Sequence, residues 1–196
     1  MIDSRDKLQQ PQKYVEYSEE NHNIPMFKNG LELRDYQLDG LNWLRKKWYE
    51  RQSAILGDEM GLGKTVQGVS IINELFKLGL RGPFLIVVPK STLMQWKREF
   101  RAWTDLNVVY YSDSKKARPL INDYELYWRT PDNQIDTNFT KFEVLLVNYE
   151  KLMRPDVNEI VNRFTWEYVI ADEAHKLKKP NTETYKIFSS LLDQHK

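Results

Sequence analysis

Apolar residues recur along this chain at two spacings, which predict two kinds of element. Repeats of three and four residues predict amphipathic helices. Continuous apolar runs predict strands that are buried on both faces. The predicted helices lie at 36–52, 64–78, about 93–103, near 120–128, around 157–164 and after about 185. The predicted strands lie at 54–56, 83–89, 108–111, 142–148 and 168–172.

Strands and helices alternate through most of the chain. This order predicts an α/β fold, with a mostly parallel sheet covered by helices on both faces. Residues 1–28 are polar and predict a linker or tail, whereas 29–196 form the predicted globular lobe. Residues 131–140 are predicted to be a polar loop.

Three smaller predictions concern helix ends and aromatic packing. Gly79 follows the second predicted helix as a C-terminal cap, and Ser91 precedes the third as an N-terminal cap. Trp43, Trp96 and Trp103 lie beside other apolar residues at helical spacing. We therefore expect these three indoles to pack in the core rather than stack on nucleic-acid bases.

Composition removes several classes of protein. The 196 residues include no cysteine, which excludes a disulfide framework and a thiolate metal site and favours a reducing intracellular compartment. No apolar run approaches the roughly 20 residues of a membrane span, so no membrane partner is expected. The net charge of +1 gives no support to a nucleic-acid partner, which must be argued from local residues.

The stretch GDEMGLGKT, residues 57–65, has the chemistry of a phosphate-binding loop. Gly61 and Gly63 allow the backbone N–H groups to curl around an anion, and the helix that follows directs its positive end at the same point. Lys64 would reach the β and γ phosphates, and the Thr65 hydroxyl would bind Mg²⁺. Asp58 occupies the place where the common pattern has an earlier glycine.

An acidic pair follows another predicted strand. In parallel sheets, ligands bind beyond the carboxyl ends of the strands. Asp172 at such an end is suited to hold Mg²⁺, directly or through water, and Glu173 to orient and deprotonate an attacking water. Gln37, upstream of the loop, can pair with the N6 and N7 edge of adenine because its amide both donates and accepts.

Four segments in this order carry a family resemblance: LRDYQLDGLNWL, ILGDEMGLGKT, PFLIVVPKSTLMQWKREF and VIADEAHKLKK. From about Gly30 onward the chain resembles the first motor lobe of helicase superfamily two, in its chromatin-remodelling branch. Its WTDLNVVYY and YELYW segments are similar to those of the chromodomain-helicase-DNA-binding remodellers. The resemblance implies a RecA-like P-loop fold with a DEAH-type acidic motif.

The same resemblance implies roles for individual residues. Nucleotide would be bound by Gln37, Asp58, Gly61, Gly63, Lys64 and Thr65, Mg²⁺ by Thr65 and Asp172, and the reaction would use Lys64, Asp172 and Glu173. His175 would link the nucleotide site to the next motif. The DNA backbone would be contacted by Lys90, Ser91, Asn148 and Tyr149.

The resemblance also implies what the complete protein does. It would hydrolyse ATP to move along double-stranded DNA in the nucleus and reposition nucleosomes, contacting histones. Chromodomains are expected upstream, and a second motor lobe carrying arginines for the γ-phosphate is expected downstream. We therefore expect this chain alone to be almost inactive.

Other interpretations remain open at this stage. A strand-separating DNA or RNA helicase of the same superfamily shares the DEAH tetrapeptide. A nucleotide-bound scaffold without turnover would keep the loop but would not need Glu173. A small-molecule kinase would also keep the loop, but would need an acceptor-binding lid that is not evident.

Overall fold

The computed structural model describes residues 14–20, 23–59, 61–111 and 117–193. These residues divide into two compact units. One unit contains the chain up to Leu80 together with Glu99–Asp105, and the other contains Arg81–Arg98 and the chain from Leu106 onward. Each unit is described by itself below.

The first unit is built on two helices, α1 (Asp35–Tyr49) and α2 (Lys64–Lys77). Both were predicted from apolar spacing, and the structure confirms them because Leu41 and Ile72 on their inner faces are fully buried. Helix α2 ends at Lys77, and Gly79 follows the C-cap Leu78 as the predicted glycine of the helix terminus. That glycine has φ +104°, and the N–H of Leu80 donates to the carbonyl of Leu75 at 3.1 Å.

Described residues ahead of position 28, within 14–20 and 23–27, pack against α1 and α2. The Tyr14 hydroxyl donates to the Asn42 carbonyl at 2.7 Å, and the Asn42 amide bonds both backbone groups of Tyr17. The Arg45 guanidinium lies 3.8 Å from the centre of the Tyr17 ring. Described residues of the predicted tail therefore make specific contacts, while the domain boundary near residue 28 stays a prediction.

The strand predicted at 54–56 is not formed. Residues 52–59 belong to no helix or strand, and the Ile55 side chain is 86% exposed. The apolar run has only three residues, and the exposure of Ile55 means that it contributes no burial to hold a strand in place.

The second unit holds a four-stranded sheet made of β1 (Phe84–Val88), β2 (Val108–Tyr110), β5 (Val144–Asn148) and β6 (Tyr168–Ala171). The strands lie in the order β2-β5-β1-β6, and every pairing is parallel. This confirms the predicted parallel sheet. The inner strands β1 and β5 pair in register from Phe84 with Val144 to Val88 with Asn148.

Burial explains why these apolar runs are continuous. Every residue of β1 and β5 is buried, so both faces of the inner strands are covered. On one face the core includes residues of α5 (Tyr149–Leu152), α6 (Pro155–Arg163) and α7 (Glu183–Asp193). An aromatic cluster of Phe142, Phe164 and Trp166 extends that core.

Residues 120–140 differ from the prediction. A short helix α4 (Ala117–Leu120) continues as a π-helical stretch, Ile121–Glu125, and then gives way to a hairpin of β3 (Tyr127–Arg129) and β4 (Ile135–Thr140). The predicted helix therefore ends early, and six of the ten residues of the predicted loop belong to β4. Asn133 in the turn has φ +62°, and the N–H of Thr130 donates to the Gln134 carbonyl at 2.8 Å. Asparagine tolerates this left-handed conformation, which favours a tight turn between the two strands.

Helix α3 (Leu93–Trp103) begins where the apolar spacing predicted, but Thr92 directly precedes it, so the prediction of Ser91 as its cap was wrong. The backbone N–H of Trp96 donates to the Thr92 carbonyl at 3.0 Å. Of the tryptophans predicted for the core, Trp96 is buried, and Trp103 packs edge-on against the buried Phe27 ring at 5.3 Å. Trp43 is 38% exposed, so that prediction was wrong for it.

None of the helices in the described ranges has both the length and the apolar content needed to cross a membrane.

Candidate functional site

The glycine-rich loop leads directly into helix α2. Gly63 is the N-cap of α2, with φ +79° and ψ +35°, and Gly61 has φ +89°. Both values lie in the left-handed region that favours glycine. A Cβ added at Gly63 would lie 2.3 Å from the Nε2 atom of Gln37. Glycine is therefore favoured at position 63 by its conformation, and a larger residue there would displace the Gln37 amide.

The lysine of the loop is turned back onto the loop backbone. Lys64 Nζ donates to the carbonyl oxygens of Asp58 at 2.7 Å and Glu59 at 2.8 Å. Thr65 follows it in the first turn of α2, where backbone N–H groups have no partner within the helix. A phosphate at this helix end would compete with the two carbonyls for the ammonium group.

Gln37 is buried and links α1 to the loop. Its Oε1 accepts from the backbone N–H of Arg34 at 3.1 Å, and its Nε2 donates to the Leu62 carbonyl at 3.2 Å. A similar link joins α2 to the loop, because Gln67 Nε2 donates to Asp58 Oδ2 at 3.1 Å. The adenine contact of Gln37 stays a prediction, and it would require the amide to exchange these partners.

A cavity of about 410 Å³ lies beside the loop within the first unit. Its lining includes Tyr36, Trp43, Ile55 and Asp58. The exposed Trp43 and Ile55 side chains thus lie along this cavity and not in a core.

In the second unit, the predicted site residues follow three neighbouring strands. Asn148 ends β5 and Tyr149 follows it, Lys90 and Ser91 follow β1, and the pair Asp172-Glu173 follows β6. Because the strands are parallel, these segments lie at one edge of the sheet. The apolar runs predicted this place for Asp172-Glu173, whereas the other four residues were identified from the family resemblance.

Asp172 is held at both its backbone and its side chain. Its N–H donates to the Val87 carbonyl at 2.9 Å, and its carbonyl accepts from the Tyr149 hydroxyl at 2.7 Å. Its Oδ2 accepts from Trp96 Nε1 at 2.9 Å and from Thr92 Oγ1 at 3.2 Å. The acid is therefore fixed by residues from three separate segments.

Glu173 adopts a conformation that is unusual for its residue type. Its φ of +54° and ψ of +49° are left-handed, which typically costs about 1–3 kcal/mol for a residue other than glycine. Its Oε2 lies 3.0 Å from Nδ1 of His175, within the following turn, Ala174–Leu177. The predicted acid and the predicted coupling histidine are thus in direct contact.

The side chains of Asn148 and Tyr149 serve the fold in this conformation. Asn148 is 1% exposed and caps α5 by accepting from the backbone N–H of Lys151 at 2.9 Å. Tyr149 is 3% exposed. Burial, and then the negative charges of Asp172 and Glu173, raises the pKa of the Tyr149 hydroxyl, which therefore remains a donor. Of the four residues predicted to contact DNA, Lys90 and Ser91 are exposed. Their contact with DNA stays a prediction.

Two residues that the sequence had not assigned to the site contact it directly. Thr92 carried no prediction, and Trp96 was expected only to pack in the core. The available signal was their place: both follow the strand β1, beside the strand that ends at Asp172. A polar side chain just beyond a buried strand end is well placed to contact its neighbour's end.

The donors present suit a hard divalent cation. Mg²⁺ prefers oxygen ligands, and nucleotide sites commonly hold it with one or two protein groups plus phosphate oxygens. Asp172 supplies a carboxylate and Thr65 a hydroxyl. Across the described part of the chain, no cluster of three or more histidines and carboxylates could hold a metal by itself. Each of these two donors, Asp172 and Thr65, is of a type that binds Mg²⁺ together with phosphate oxygens.

Comparisons with known proteins identify the family of this chain. The family model described as SNF2-related domain matches residues 36–196. Chromodomain-helicase-DNA-binding protein 9 is 42% identical over 170 residues in Mus musculus and 44% identical in Homo sapiens, and in each case the match covers 87% of this chain and 6% of that protein. Chromodomain-helicase-DNA-binding protein 8 of Danio rerio is 41% identical over the same share of this chain and 7% of its own length. The chain thus spans less than a tenth of these relatives.

Among solved structures, the chain is similar to the Sulfolobus solfataricus SWI2/SNF2 ATPase core in complex with dsDNA. The TM-score is 0.67 and the identity 25%, over 82% of this chain and 30% of that one. This match supports a RecA-like α/β lobe.

Proposed function

The chain belongs to the family of SNF2-related domains, and from that premise we propose that it is the ATP-binding lobe of an ATP-dependent chromatin remodeller. The complete protein would hydrolyse ATP with Mg²⁺, move along double-stranded DNA and reposition nucleosomes. The relatives named above carry DNA binding in their names, and the structural neighbour is an ATPase core with bound DNA.

One observation carries the proposal. Asp172 follows the half-buried parallel strand β6 with four hydrogen bonds to its backbone and one carboxylate oxygen, and Glu173 follows it in a strained conformation. Strain of this kind persists where the surrounding structure enforces it, and it is concentrated at functional sites. A nucleotide-bound scaffold would not need a carboxylate held in this way.

In the proposed reaction, the loop residues bind the nucleotide. Lys64 and the N–H groups at the start of α2 neutralise the phosphates, and Gln37 contacts adenine. Thr65 and Asp172 hold Mg²⁺, which when bound stabilises charge on the phosphate oxygens. Glu173 orients the attacking water and accepts its proton, and its contact with His175 links the acid to the following turn.

The proposed DNA contacts are phosphate contacts, because a motor must grip many sequences. Lys90 and Ser91 are exposed after β1 and are the proposed contacts in this chain. Nucleosomal DNA and histones would be the partners, and the nucleus the location. A second motor lobe and upstream chromodomains of the same protein are part of this proposal.

The experiment that tests the reaction is Glu173→Gln in the complete protein. The amide keeps the size of the side chain but cannot accept a proton from water. We expect binding of a fluorescent ATP analogue to be retained and nucleosome sliding to be abolished. Sliding at the normal rate would refute the role of Glu173, and unwinding of plain duplex DNA would instead favour a strand-separating helicase.

The isolated chain is proposed to bind ATP weakly and to hydrolyse it hardly at all. Arginines supplied by a second lobe contribute about 10³ to 10⁵ in rate in enzymes of this type. DNA-stimulated hydrolysis by this chain alone, at the rate of the complete protein, would contradict the proposal.

A further inference from the structure

We propose that Thr92 and Trp96 are positioning residues for the metal-binding carboxylate, and that they set the Mg²⁺ dependence of nucleotide binding. The inference rests on the proposed function, because it assigns Mg²⁺ to Asp172. It adds a role for two residues of the segment after β1. Without it, that segment has only a packing role and the proposed DNA contact.

The geometry at Asp172 separates its two carboxylate oxygens. Oδ2 accepts from Trp96 Nε1 at 2.9 Å and from Thr92 Oγ1 at 3.2 Å. Within the described ranges, Oδ1 receives no hydrogen bond from the protein. The carboxylate is therefore held at one oxygen, and the other is left as an acceptor for the metal or a metal-bound water.

The two donors differ in how firmly they are themselves held. The Trp96 side chain is 2% exposed, and its indole N–H can donate but cannot accept. Thr92 Oγ1 also lies 3.3 Å from the carbonyl of Pro89, and its single proton can serve only one acceptor at a time. An ionised carboxylate is the stronger acceptor of the two. Binding of Mg²⁺ at Oδ1 would draw charge from Oδ2. The preference of the Thr92 hydroxyl for the carboxylate over the Pro89 carbonyl would then be weaker.

This arrangement gives the segment after β1 two connected tasks. Lys90 and Ser91 lie in the exposed turn, and Thr92 comes next in the chain. Helix α3 then begins at Leu93 and carries Trp96 one turn further. A movement of the exposed turn would therefore reach the Asp172 carboxylate through Thr92.

The test compares nucleotide affinity with and without metal in the complete protein. A fluorescent ATP analogue is titrated in EDTA and then at a series of Mg²⁺ concentrations. Thr92→Val removes the hydroxyl and keeps the branched shape, whereas Thr92→Ser retains the hydroxyl and loses the methyl group. We expect Thr92→Val to bind the analogue normally in EDTA and to need about tenfold more Mg²⁺ for half of the metal-dependent gain, as is typical when a group that orients a metal ligand is lost.

Trp96→Phe should change the Mg²⁺ dependence in the same direction, because it removes the second donor. Two matched controls lie in and just beyond the same helix. Trp103→Phe removes an indole whose Nε1 donates to Glu99 at 3.0 Å, and Thr104→Val removes a hydroxyl that donates to the Phe100 carbonyl at 2.8 Å. Neither group contacts Asp172, so both controls should keep the normal Mg²⁺ dependence.

Three results would overturn the inference. The first is an unchanged or lower Mg²⁺ requirement in Thr92→Val. The second is an equal loss of affinity in EDTA and in Mg²⁺, which would indicate a general structural defect. The third is the same change in Mg²⁺ requirement in the controls. If Trp96→Phe fails to fold, the pair Thr92→Val and Thr92→Ser decides alone. Failure of the proposed function would be seen separately, as an absence of any metal-dependent nucleotide binding in the unchanged protein.

Discussion

The phosphate loop and the acidic strand end are held in opposite ways. Lys64 bonds only two carbonyls of its own loop in the contacts described above, and these partners can be exchanged for phosphate oxygens. Asp172 is fixed by Val87, Tyr149, Thr92 and Trp96, from segments far apart in the chain. In the proposed function the loop would change its partners on binding phosphate, whereas the Asp172 carboxylate already has its hydrogen-bond partners.

The largest expected effect removes the exchangeable cation. Lys64→Ala should lower ATP hydrolysis by the complete protein about 10²- to 10³-fold, as is typical when one group that stabilises transition-state charge is lost. Steady-state phosphate release measures it, and Lys46→Ala on the exposed side of α1 is the control. Nearly normal hydrolysis would mean that the loop does not bind the phosphates through Lys64.

The next effect tests whether the loop backbone is as exchangeable as its lysine. Gly63→Ala places a methyl group against Gln37 and forces a left-handed conformation on alanine, at a cost of about 1–3 kcal/mol. The free energy of unfolding measured in urea and the affinity for the fluorescent ATP analogue should both fall. Gly57→Ala is the matched control, because an added Cβ there meets nothing within 4 Å. Equal tolerance at both positions would show that the loop is not constrained at Gly63.

A smaller effect tests the fixed region. Tyr149→Phe removes the hydroxyl that donates to the Asp172 carbonyl, and a lost hydrogen bond of this kind costs about 1 kcal/mol. Urea unfolding should show this loss, with Tyr185→Phe, at a partly exposed position, as the control. A variant as stable as the unchanged protein would mean that Asp172 is fixed without this bond.

The smallest effect is a dependence on alkaline pH. The folded protein has a raised pKa at Tyr149, so the unfolded chain releases that proton first as the pH rises. The resulting stability is fully present below about pH 10, the ordinary tyrosine pKa, and is lost above it. Tyr149→Phe should reduce this loss in unfolding experiments across that range. An identical pH profile in the variant would assign the loss to other tyrosines.

The family resemblance and the parallel α/β sheet were both predicted correctly. The long apolar runs at β1 and β5 can be satisfied only by burial on both faces, which makes the sheet readable from sequence. The hairpin at 127–140 was missed because β3 has only three residues and β4 consists largely of polar residues, a composition typical of a loop. The strand predicted at 54–56 was wrong because a run of three apolar residues does not establish burial.

The candidate site also has a part that the sequence predicts and a part that only the tertiary structure decides. The sequence alone predicted which groups could bind phosphate and metal, because glycines, Lys64, Thr65 and the Asp172-Glu173 pair have chemistry that depends on residue type and local order. It did not determine the partners of Asp172. Thr92 and Trp96 lie 80 and 76 positions away in the chain, and only the pairing of β1 with β6 brings them to its carboxylate. Local chemistry is written in short segments, whereas the orientation of a side chain depends on which strands become neighbours when the sheet forms.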